Sequence, residues 1–344
     1  MFQVFIFTNG LFLGVLLLIQ RSELRKANLF LALFLISLSL EIAPDLFEEE
    51  NFPIPETSFF TVPLLFLYAQ QIIKGQIRWP QWLWLLPGLV VNTITLIVGV
   101  GEPTLLMIII LIIPFYAVNL FLLFKLNAQI ALHQLQLKTQ YTNLDMRTLS
   151  WMRGLVLIFL IFNFVWILDD GLLLAEIDFP QLALLAEFLT LISVFWVGYY
   201  GMGQKGSTLT VPDTPTIEAS QQESLSDETE KKQFDEALRQ LEDHKLYLNQ
   251  ELTLRLLAQQ LGVNEKKLSA WINQYTESNF YQLINQYRVA EFKKQLAEPA
   301  NRNFSLLGIA QNSGFRNKST FYKVFKELEG ITPNDYKKGL SDAQ

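Results

Sequence analysis

The sequence predicts an all-α protein made of a seven-helix transmembrane bundle and a cytoplasmic all-α domain with two helix-turn-helix motifs. Two observations lead to this prediction. Residues 1–202 are dominated by long apolar segments, whereas the rest of the 344-residue chain has the polar composition of a soluble domain. Within that rest, Leu252–Asn273 and Ser305–Gly330 each contain a short apolar helix, a glycine turn and a second helix, which is the helix-turn-helix layout.

The transmembrane prediction depends on segment length, because a spanning helix needs about 20 mostly apolar residues. The first candidate lacks the basic start of a signal peptide and is followed by further spans, so we expect it to be retained. The seven predicted spans are Phe2–Ile19, Ala27–Ala43, Ser58–Ile73, Gln81–Gly99, Thr104–Phe124, Trp151–Ala175 and Gln181–Tyr200.

The charges of the loops predict the orientation of these spans. The loops after the second, fourth and sixth spans contain Asp or Glu but no Lys or Arg. The basic loop residues follow the other spans: Arg21, Arg25, Lys26, Lys74, Arg78, Lys125, Lys138, Arg147 and Lys205. By the positive-inside rule, the N-terminus lies outside and the chain after Tyr200 is cytoplasmic. We therefore expect a multi-pass protein of the inner cell membrane, with the lipid bilayer as a partner.

Polar residues at membrane depth are expensive, and they are therefore candidates for sensing a signal. Glu187, near the start of the seventh span, is the strongest of them. The alternative is that the asparagines only hold helices together and that the aspartates lie in the outer interface. The candidates are Asn92, Asn119, Asn163, Asp169, Asp170 and Glu187.

Between the two parts, the composition predicts a linker and then a helix. Residues 203–227 are rich in Gly, Ser, Thr, Pro and acidic residues, as flexible linkers are. Residues 228–248 form an amphipathic connecting helix, which either packs on its own domain or makes a short coil in a homodimer. The inner loop Lys125–Ser150 is expected to continue as a helix and is a candidate for packing on the cytoplasmic domain.

The cytoplasmic domain is predicted to cover residues 249–338. Residues 249–344 carry 13 Lys and Arg against 9 Asp and Glu, so this part is net positive although the chain has a net charge of −6. Residues 280–296 have helical periodicity and are expected to hold the two motifs apart. The expected turn and cap residues are Thr253, Gly262 and Asn264 in the first motif, Ser305, Gly314 and Asn317 in the second, and Thr332 with Pro333 in the last helix.

The second helix of each motif presents polar residues on the side away from its apolar face, and a recognition helix meets base edges near its N-terminal end. These residues are the predicted DNA contacts. They are Lys266, Lys267, Ser269, Ala270 and Asn273 in the first motif, and Arg316, Lys318, Ser319, Thr320, Tyr322, Lys323 and Lys326 in the second.

The run Leu252–Lys338 resembles the C-terminal domain of the AraC/XylS family of bacterial transcription regulators, and IAQNSGFRNKSTFYKVFKELEGITPNDYK matches that family's signature. The resemblance implies two recognition helices in successive segments of the major groove of promoter DNA. It places base contacts at Lys266, Ser269, Ala270, Lys318, Ser319, Tyr322 and Lys323. This chain departs from the family at three positions. Ala270 stands where a long polar side chain is common, Glu277 where glycine is common, and Phe292 where alanine is common.

The chain contains no cysteine and only two histidines, His133 and His244. This excludes disulfides, thiol catalysis and cysteine metal sites, and no cofactor, metal site or enzymatic activity is predicted. The sequence favours a membrane-anchored transcription regulator that responds to an unknown small-molecule or membrane-protein signal. The alternatives are a transporter or membrane enzyme with a DNA-binding tail, and a bundle that docks a separate membrane sensor.

Overall fold

The structure is a computed structural model that describes residues 1–46, 57–98, 112–144, 147–204, 224–301 and 303–342. These residues are helical apart from turns, loops and one isolated antiparallel bridge between Tyr141 and Thr253. The chain divides into two compact units. The first comprises Met1–Gln134 and Met146–Leu209, and the second comprises Leu135–Asp145 and Thr210–Gln344.

Nine helices are described in the part of the chain before residue 205. They are α1 (Phe2–Ile19), α2 (Arg25–Leu40), α3 (Ala43–Leu46), α4 (Ser58–Lys74), α5 (Trp79–Trp82), α6 (Leu86–Val98), α7 (Ile113–Leu137), α8 (Ser150–Leu174) and α9 (Gln181–Gly203). A 3-10 turn, Leu83–Leu85, joins α5 to α6.

Four of these helices, α1, α7, α8 and α9, are long and apolar enough to cross a membrane. This confirms an all-α fold with a membrane-type region. Helices α2, α4 and α6 overlap the second, third and fourth predicted spans but have 16, 17 and 13 residues, so the count of seven stays a prediction. Residues 104–111 of the fifth predicted span and most of the predicted linker, residues 205–223, lie outside the described residues.

Helices α1 and α2 approach each other closely through small residues. A Cβ at Gly14 would lie 3.2 Å from the backbone oxygen of Ala32, so any larger residue here would require the two helices to shift by a few tenths of an ångström. Helix α2 then packs against α4, and the rings of Phe34 and Phe159 lie 5.6 Å apart, which brings α8 to the same core. Close packing of this kind drives helix association in a bilayer, where apolar surface gains little from burial.

The second unit contains seven helices among its described residues: α10 (Ser224–Asp243), α11 (Leu254–Gln260), α12 (Glu265–Tyr275), α13 (Phe280–Ala297), α14 (Leu306–Asn312), α15 (Lys318–Glu329) and α16 (Pro333–Asp342). The pairs α11–α12 and α14–α15 are the two predicted helix-turn-helix motifs. Helix α13 contributes Phe280 and Ile284 to the core of the first motif and Val289 and Phe292 to that of the second. One rigid helix therefore belongs to both cores.

The predicted caps and turns are confirmed. The side chain of Asn264 accepts hydrogen bonds from the amides of Lys266 and Lys267, which satisfies donors at the N-terminus of α12. The turn residues Gly262 and Gly314 have φ angles of +67° and +94°. The other predicted caps are at their places: Thr253 before α11, Ser305 before α14, Asn317 before α15 and Thr332 before α16.

The connecting helix α10 packs on its own unit, which was one of the two predicted alternatives. Phe234 and Leu241 are buried in the core of the first motif, and the ring of Phe234 lies 6.1 Å from that of Trp271. The apolar residues of α10 are thus buried against the first motif of the same chain.

A short segment of the loop between α7 and α8 belongs to the second unit, and we call its residues 138–144 the strap. Helix α7 extends to Leu137, as the predicted helical continuation requires, and the strap follows it directly. The amide of Leu254 donates to the carbonyl of Gln140 at 2.9 Å, and that of Tyr281 donates to the carbonyl of Lys138 at 3.0 Å. Because helix N-termini leave amides without partners, the strap caps both α11 and α13.

Side chains fasten the strap further. The hydroxyl of Thr142 donates to the carbonyl of Leu252 at 2.7 Å and accepts from Arg288 at 3.3 Å. Asn143 donates to the carboxylate of Glu251 at 3.2 Å. Since Thr142 is 1% exposed and Asn143 is 9% exposed, the strap is built into the domain as an internal part.

The two turn glycines make a matched test of backbone constraint. Gly262→Ala is expected to cost roughly 1–2 kcal/mol, because only the left-handed φ is at stake and no heavy atom lies within 4 Å of its Cβ position. Gly314→Ala adds a clash, since its Cβ would lie 2.6 Å from the carbonyl oxygen of Tyr247. Pulse proteolysis of the full chain in urea measures both free energies of unfolding. Equal losses would contradict the close packing at Gly314.

The strap is tested by hydrogen exchange. Thr142→Val removes the hydroxyl that bonds Leu252 and Arg288, and exchange at the amides of Leu254 and Tyr281 is expected to rise roughly 5- to 30-fold. Thr139→Val is the control, because the hydroxyl of Thr139 bonds only the carbonyl of Gln136 at the end of α7. Unchanged protection in Thr142→Val would show that the strap is not held in this way.

Candidate functional site

The predicted DNA-contacting residues lie off the buried faces of α12 and α15 and in the turn before α15. Helix α12 buries Leu268, Trp271 and Ile272, and helix α15 buries Phe321, Val324 and Phe325. Most of the predicted contact residues are exposed: Lys266, Ala270, Asn273, Arg316, Lys318, Ser319, Lys323 and Lys326. Four are half-buried: Lys267, Ser269, Thr320 and Tyr322.

Lys267 has intramolecular partners that the helical pattern did not predict. Its Nζ donates to Gln233 at 3.0 Å, lies 3.8 Å from the carboxylate of Glu230, and sits 4.7 Å from the centre of the Trp271 ring. Helix α10 therefore holds this lysine at one edge of α12. A phosphate contact by Lys267 would have to compete with these partners.

Arg316 is also paired. It forms an ion pair with Glu251, and Glu251 accepts a hydrogen bond from Asn143 of the strap. The turn before α15 is therefore linked to the strap through one carboxylate. The sequence predicted Arg316 as an outward residue, and it gave no sign of this link because residues 143, 251 and 316 are far apart along the chain.

The lysines on the outer face of α15 are not held by strong ion pairs within the chain. Lys323 lies 3.9 Å from Glu327, but the two side chains are 68% and 59% exposed, so this pair holds the lysine weakly. The Nζ of Lys318 lies 5.4 Å from the ring centre of Tyr322, and the hydroxyl of Tyr322 donates to Asn334 at 3.5 Å. These contacts orient a cation and an aromatic side chain beside each other on the outer face.

The first unit contains a cavity of about 360 Å³. It brings together three of the six sensing candidates, Asn119, Asn163 and Asp170. Four helices or helix ends contribute its lining: Glu41 after α2; Ser58, Phe59, Thr61 and Val62 on α4; Ile112, Phe115, Tyr116 and Asn119 on or just before α7; and Phe159, Phe162, Asn163, Trp166 and Asp170 on α8.

The other three candidates lie elsewhere. Asn92 donates to the carbonyl of Gly88 within α6, and Asp169 is not among the lining residues. Glu187, the strongest candidate from the sequence, accepts a hydrogen bond of 2.6 Å from Gln3 and so joins α9 to α1.

Hydrogen bonds position the polar groups of the cavity. The hydroxyl of Tyr116 donates to Asp170 at 2.6 Å, and that of Thr61 donates to Glu41. The amide nitrogen of Asn163 donates to the carbonyl of Phe159 at 2.7 Å, while its oxygen is buried without a hydrogen-bond partner. The sequence missed Glu41 because it was counted as a loop acid, and it missed Tyr116 because it belongs to an apolar span. Within the described residues, no group of three or more His, Asp or Glu is arranged to hold a metal ion.

One family model matches within the second unit. Residues 257–339 match a family model described as "Helix-turn-helix domain". A curated protein of Bacillus subtilis (strain 168), "Uncharacterized HTH-type transcriptional regulator YtdP", is 33% identical over 87 residues, which is 25% of this chain and 11% of that protein. No solved structure matches the chain. The stretch matched by the family model includes both predicted recognition helices, so residues 257–339 are similar to helix-turn-helix domains.

Proposed function

We propose that the chain is a membrane-anchored, sequence-specific DNA-binding transcription regulator, in which the first unit senses a signal and controls the C-terminal domain. The observation that carries this proposal is the strap. A loop that begins and ends at two membrane-type helices, α7 and α8, supplies hydrogen bonds to the helix-turn-helix domain. A domain that was merely tethered to a membrane would not need such a part.

Double-stranded promoter DNA is the proposed partner of α12 and α15. Both helices begin with an Asn cap and carry lysines on the face opposite their buried residues. Lysines chiefly contact phosphates, which gives affinity without sequence preference. Sequence preference then depends on Ser269, Ala270, Ser319 and Tyr322, and Ala270 can contact the methyl group of thymine.

The membrane arrangement is part of the proposal. The basic loops follow the odd-numbered predicted spans, which supports a cytoplasmic C-terminal domain and an external N-terminus. The strap lies in one of these basic loops, between Lys125 and Ser150. It is therefore on the same side of the membrane as the domain that it contacts, and this agreement supports an even number of spans between them.

The signal is proposed to act by changing the arrangement of α7 and α8. Both ends of the strap are fixed to these helices by the chain, and the strap caps α11 and α13. A shift of one helix would thus change the support of the first recognition motif. A signal needs only a different affinity for the two arrangements to shift their populations.

Lys323 tests the DNA contact. Lys323→Ala is expected to weaken binding of the full chain to duplex DNA and to lower the slope of log affinity against log salt by about one, because one phosphate contact is lost. Lys232→Ala is the control: Lys232 is 74% exposed, pairs with Glu228 at 2.9 Å, and lies on α10. If both variants lose the same slope, or neither does, Lys323 makes no phosphate contact.

Control by the first unit is tested in cells. Deletion of residues 1–202 removes the strap along with the bundle, so its effect must be compared with that of strap variants. Transcript levels are measured for the full chain, the deletion, Thr142→Val and Thr139→Val. Genes that change in the deletion are expected to change in the same direction in Thr142→Val and to stay unchanged in Thr139→Val. Identical transcripts in all four strains would reject a regulatory role for the first unit.

A further inference from the structure

We propose that the cavity of the first unit binds a small organic cation, an ammonium group on an apolar body. Its volume of about 360 Å³ lies in the range of small-molecule sites. The role of this ligand as the signal rests on the proposed function, whereas its binding can be measured without DNA.

The charge of the lining is the first argument. Glu41 and Asp170 both line the cavity, and the described lining residues include no Lys, Arg or His. Asp170 accepts a hydrogen bond from the neutral hydroxyl of Tyr116, and no described Lys or Arg forms an ion pair with it. Charged residues inside membrane segments are costly and mark binding sites or relays. A cationic ligand would supply the opposite charge.

Asn163 gives an independent argument. This residue is 4% exposed and lines the cavity, and its side-chain oxygen is a buried acceptor without a partner. Its amide nitrogen is already used by the carbonyl of Phe159, which fixes the oxygen as the free end. A buried acceptor left unsatisfied costs about 1–3 kcal/mol in general, so a ligand that donates an N–H here gains affinity. An ammonium group has such donors, and a carboxylate or phosphate ligand does not.

The aromatic lining fits the apolar body and the charge. Phe59 and Phe115 lie 4.4 Å apart between ring centres, and Phe162 and Trp166 lie 6.1 Å apart with their rings edge to face. Tryptophan and phenylalanine faces attract organic ammonium ions, and more strongly when water is excluded. An inorganic cation would gain little from these rings, so an organic cation is favoured.

The position of the cavity allows two sources of such a cation. Its lining comes from the end of α2, the start of α4, the start of α7 and the later half of α8, which is the external end of each in the proposed orientation. An ammonium there is either a soluble ion from outside or the headgroup of a lipid.

The test uses the full chain in nanodiscs of phosphatidylglycerol, a lipid without an ammonium group. Titration calorimetry compares 2-phenylethylammonium and longer arylalkylammonium ions with their neutral alcohols, which have nearly the same shape. The ammonium ions are expected to bind more tightly than the alcohols. Alcohols that bind as tightly as the ammonium ions, or a series in which no ammonium ion binds, would overturn the proposal.

Variants locate the site. Asp170→Asn is expected to weaken ammonium binding about tenfold and to leave alcohol binding unchanged. Asp178→Asn, which removes one exposed negative charge just beyond the same end of α8, is expected to change neither. An equal loss in both variants would assign the effect to the surface potential and overturn the site. The comparison of ammonium with alcohol on the unaltered chain stands even where a variant fails to fold.

A further experiment identifies the source of the cation. Adding phosphatidylethanolamine suppresses binding of the soluble ion if the lipid headgroup is the natural occupant. It leaves binding unchanged if the natural occupant is a soluble cation, and both results support the ammonium chemistry.

The role of the ligand is tested by measuring DNA affinity on the same samples. Charge-selective binding without any change in DNA affinity supports this ligand class and overturns sensing. A neutral ligand that binds better and changes DNA affinity overturns the ligand class and leaves sensing intact.

Discussion

The buried guanidinium of Arg288 is the interaction on which the architecture of the second unit depends. Arg288 is 2% exposed on α13 and donates to the carbonyls of Tyr247 and Asn249 at 2.8 and 2.7 Å and to the hydroxyl of Thr142. Burial lowers the pKa of Arg288 to about 10, so it stays charged at neutral pH. A buried charge is tolerated only where it makes hydrogen bonds, and here Nε and one terminal nitrogen donate to the connection before α11 and to the strap. The same group explains Gly314, because a Cβ there would lie 2.9 Å from Nε of Arg288.

This arrangement makes the two recognition helices parts of one body. Helix α13 belongs to both cores, Arg288 joins it to the segment before the first motif, and the strap caps α11 and α13. The chain also passes between the two units three times, at residues 134–135, 145–146 and 209–210. Only the last of these passages is the linker that composition predicts.

The features that the sequence predicts correctly are local ones. Gly262, Gly314, Asn264 and Asn317 each act within a few residues, through a φ angle or a cap, so their residue type alone indicates their role. The strap is different, because Thr142 bonds Leu252 and Arg288, which lie 110 and 146 residues away. Hydrophobic periodicity assigns a face to a helix but does not name its partner. For the same reason it missed the contacts of Lys267 with α10.

The cavity shows the same limit. Asn119, Asn163 and Asp170 are recognisable one by one as polar residues in apolar helices, but the sequence ranks Glu187 above them. Glu187 is satisfied by Gln3 across a helix pair, whereas Asn163, which lines the same cavity as Asp170, has a side-chain oxygen without a hydrogen-bond partner. Whether a polar group joins two helices or faces a cavity depends on how the four helix ends pack, and the sequence does not reveal this packing. The aromatic partners of these groups are indistinguishable in the sequence from ordinary residues of an apolar span.

Helices α7 and α8 connect the cavity to the strap through the chain. Both helices line the cavity, and the strap is the chain that connects the end of α7 to the start of α8. The strap is held by a handful of hydrogen bonds, each contributing about 0.5–1.5 kcal/mol. Coupling between sites typically amounts to about 1–3 kcal/mol, so a ligand that favours one arrangement of α7 and α8 by that amount would change the ratio of attached to released strap by about 5- to 150-fold. Such coupling is reciprocal. If the ligand raises the affinity for DNA by some factor, then bound DNA must raise the affinity of the cavity for the ligand by the same factor.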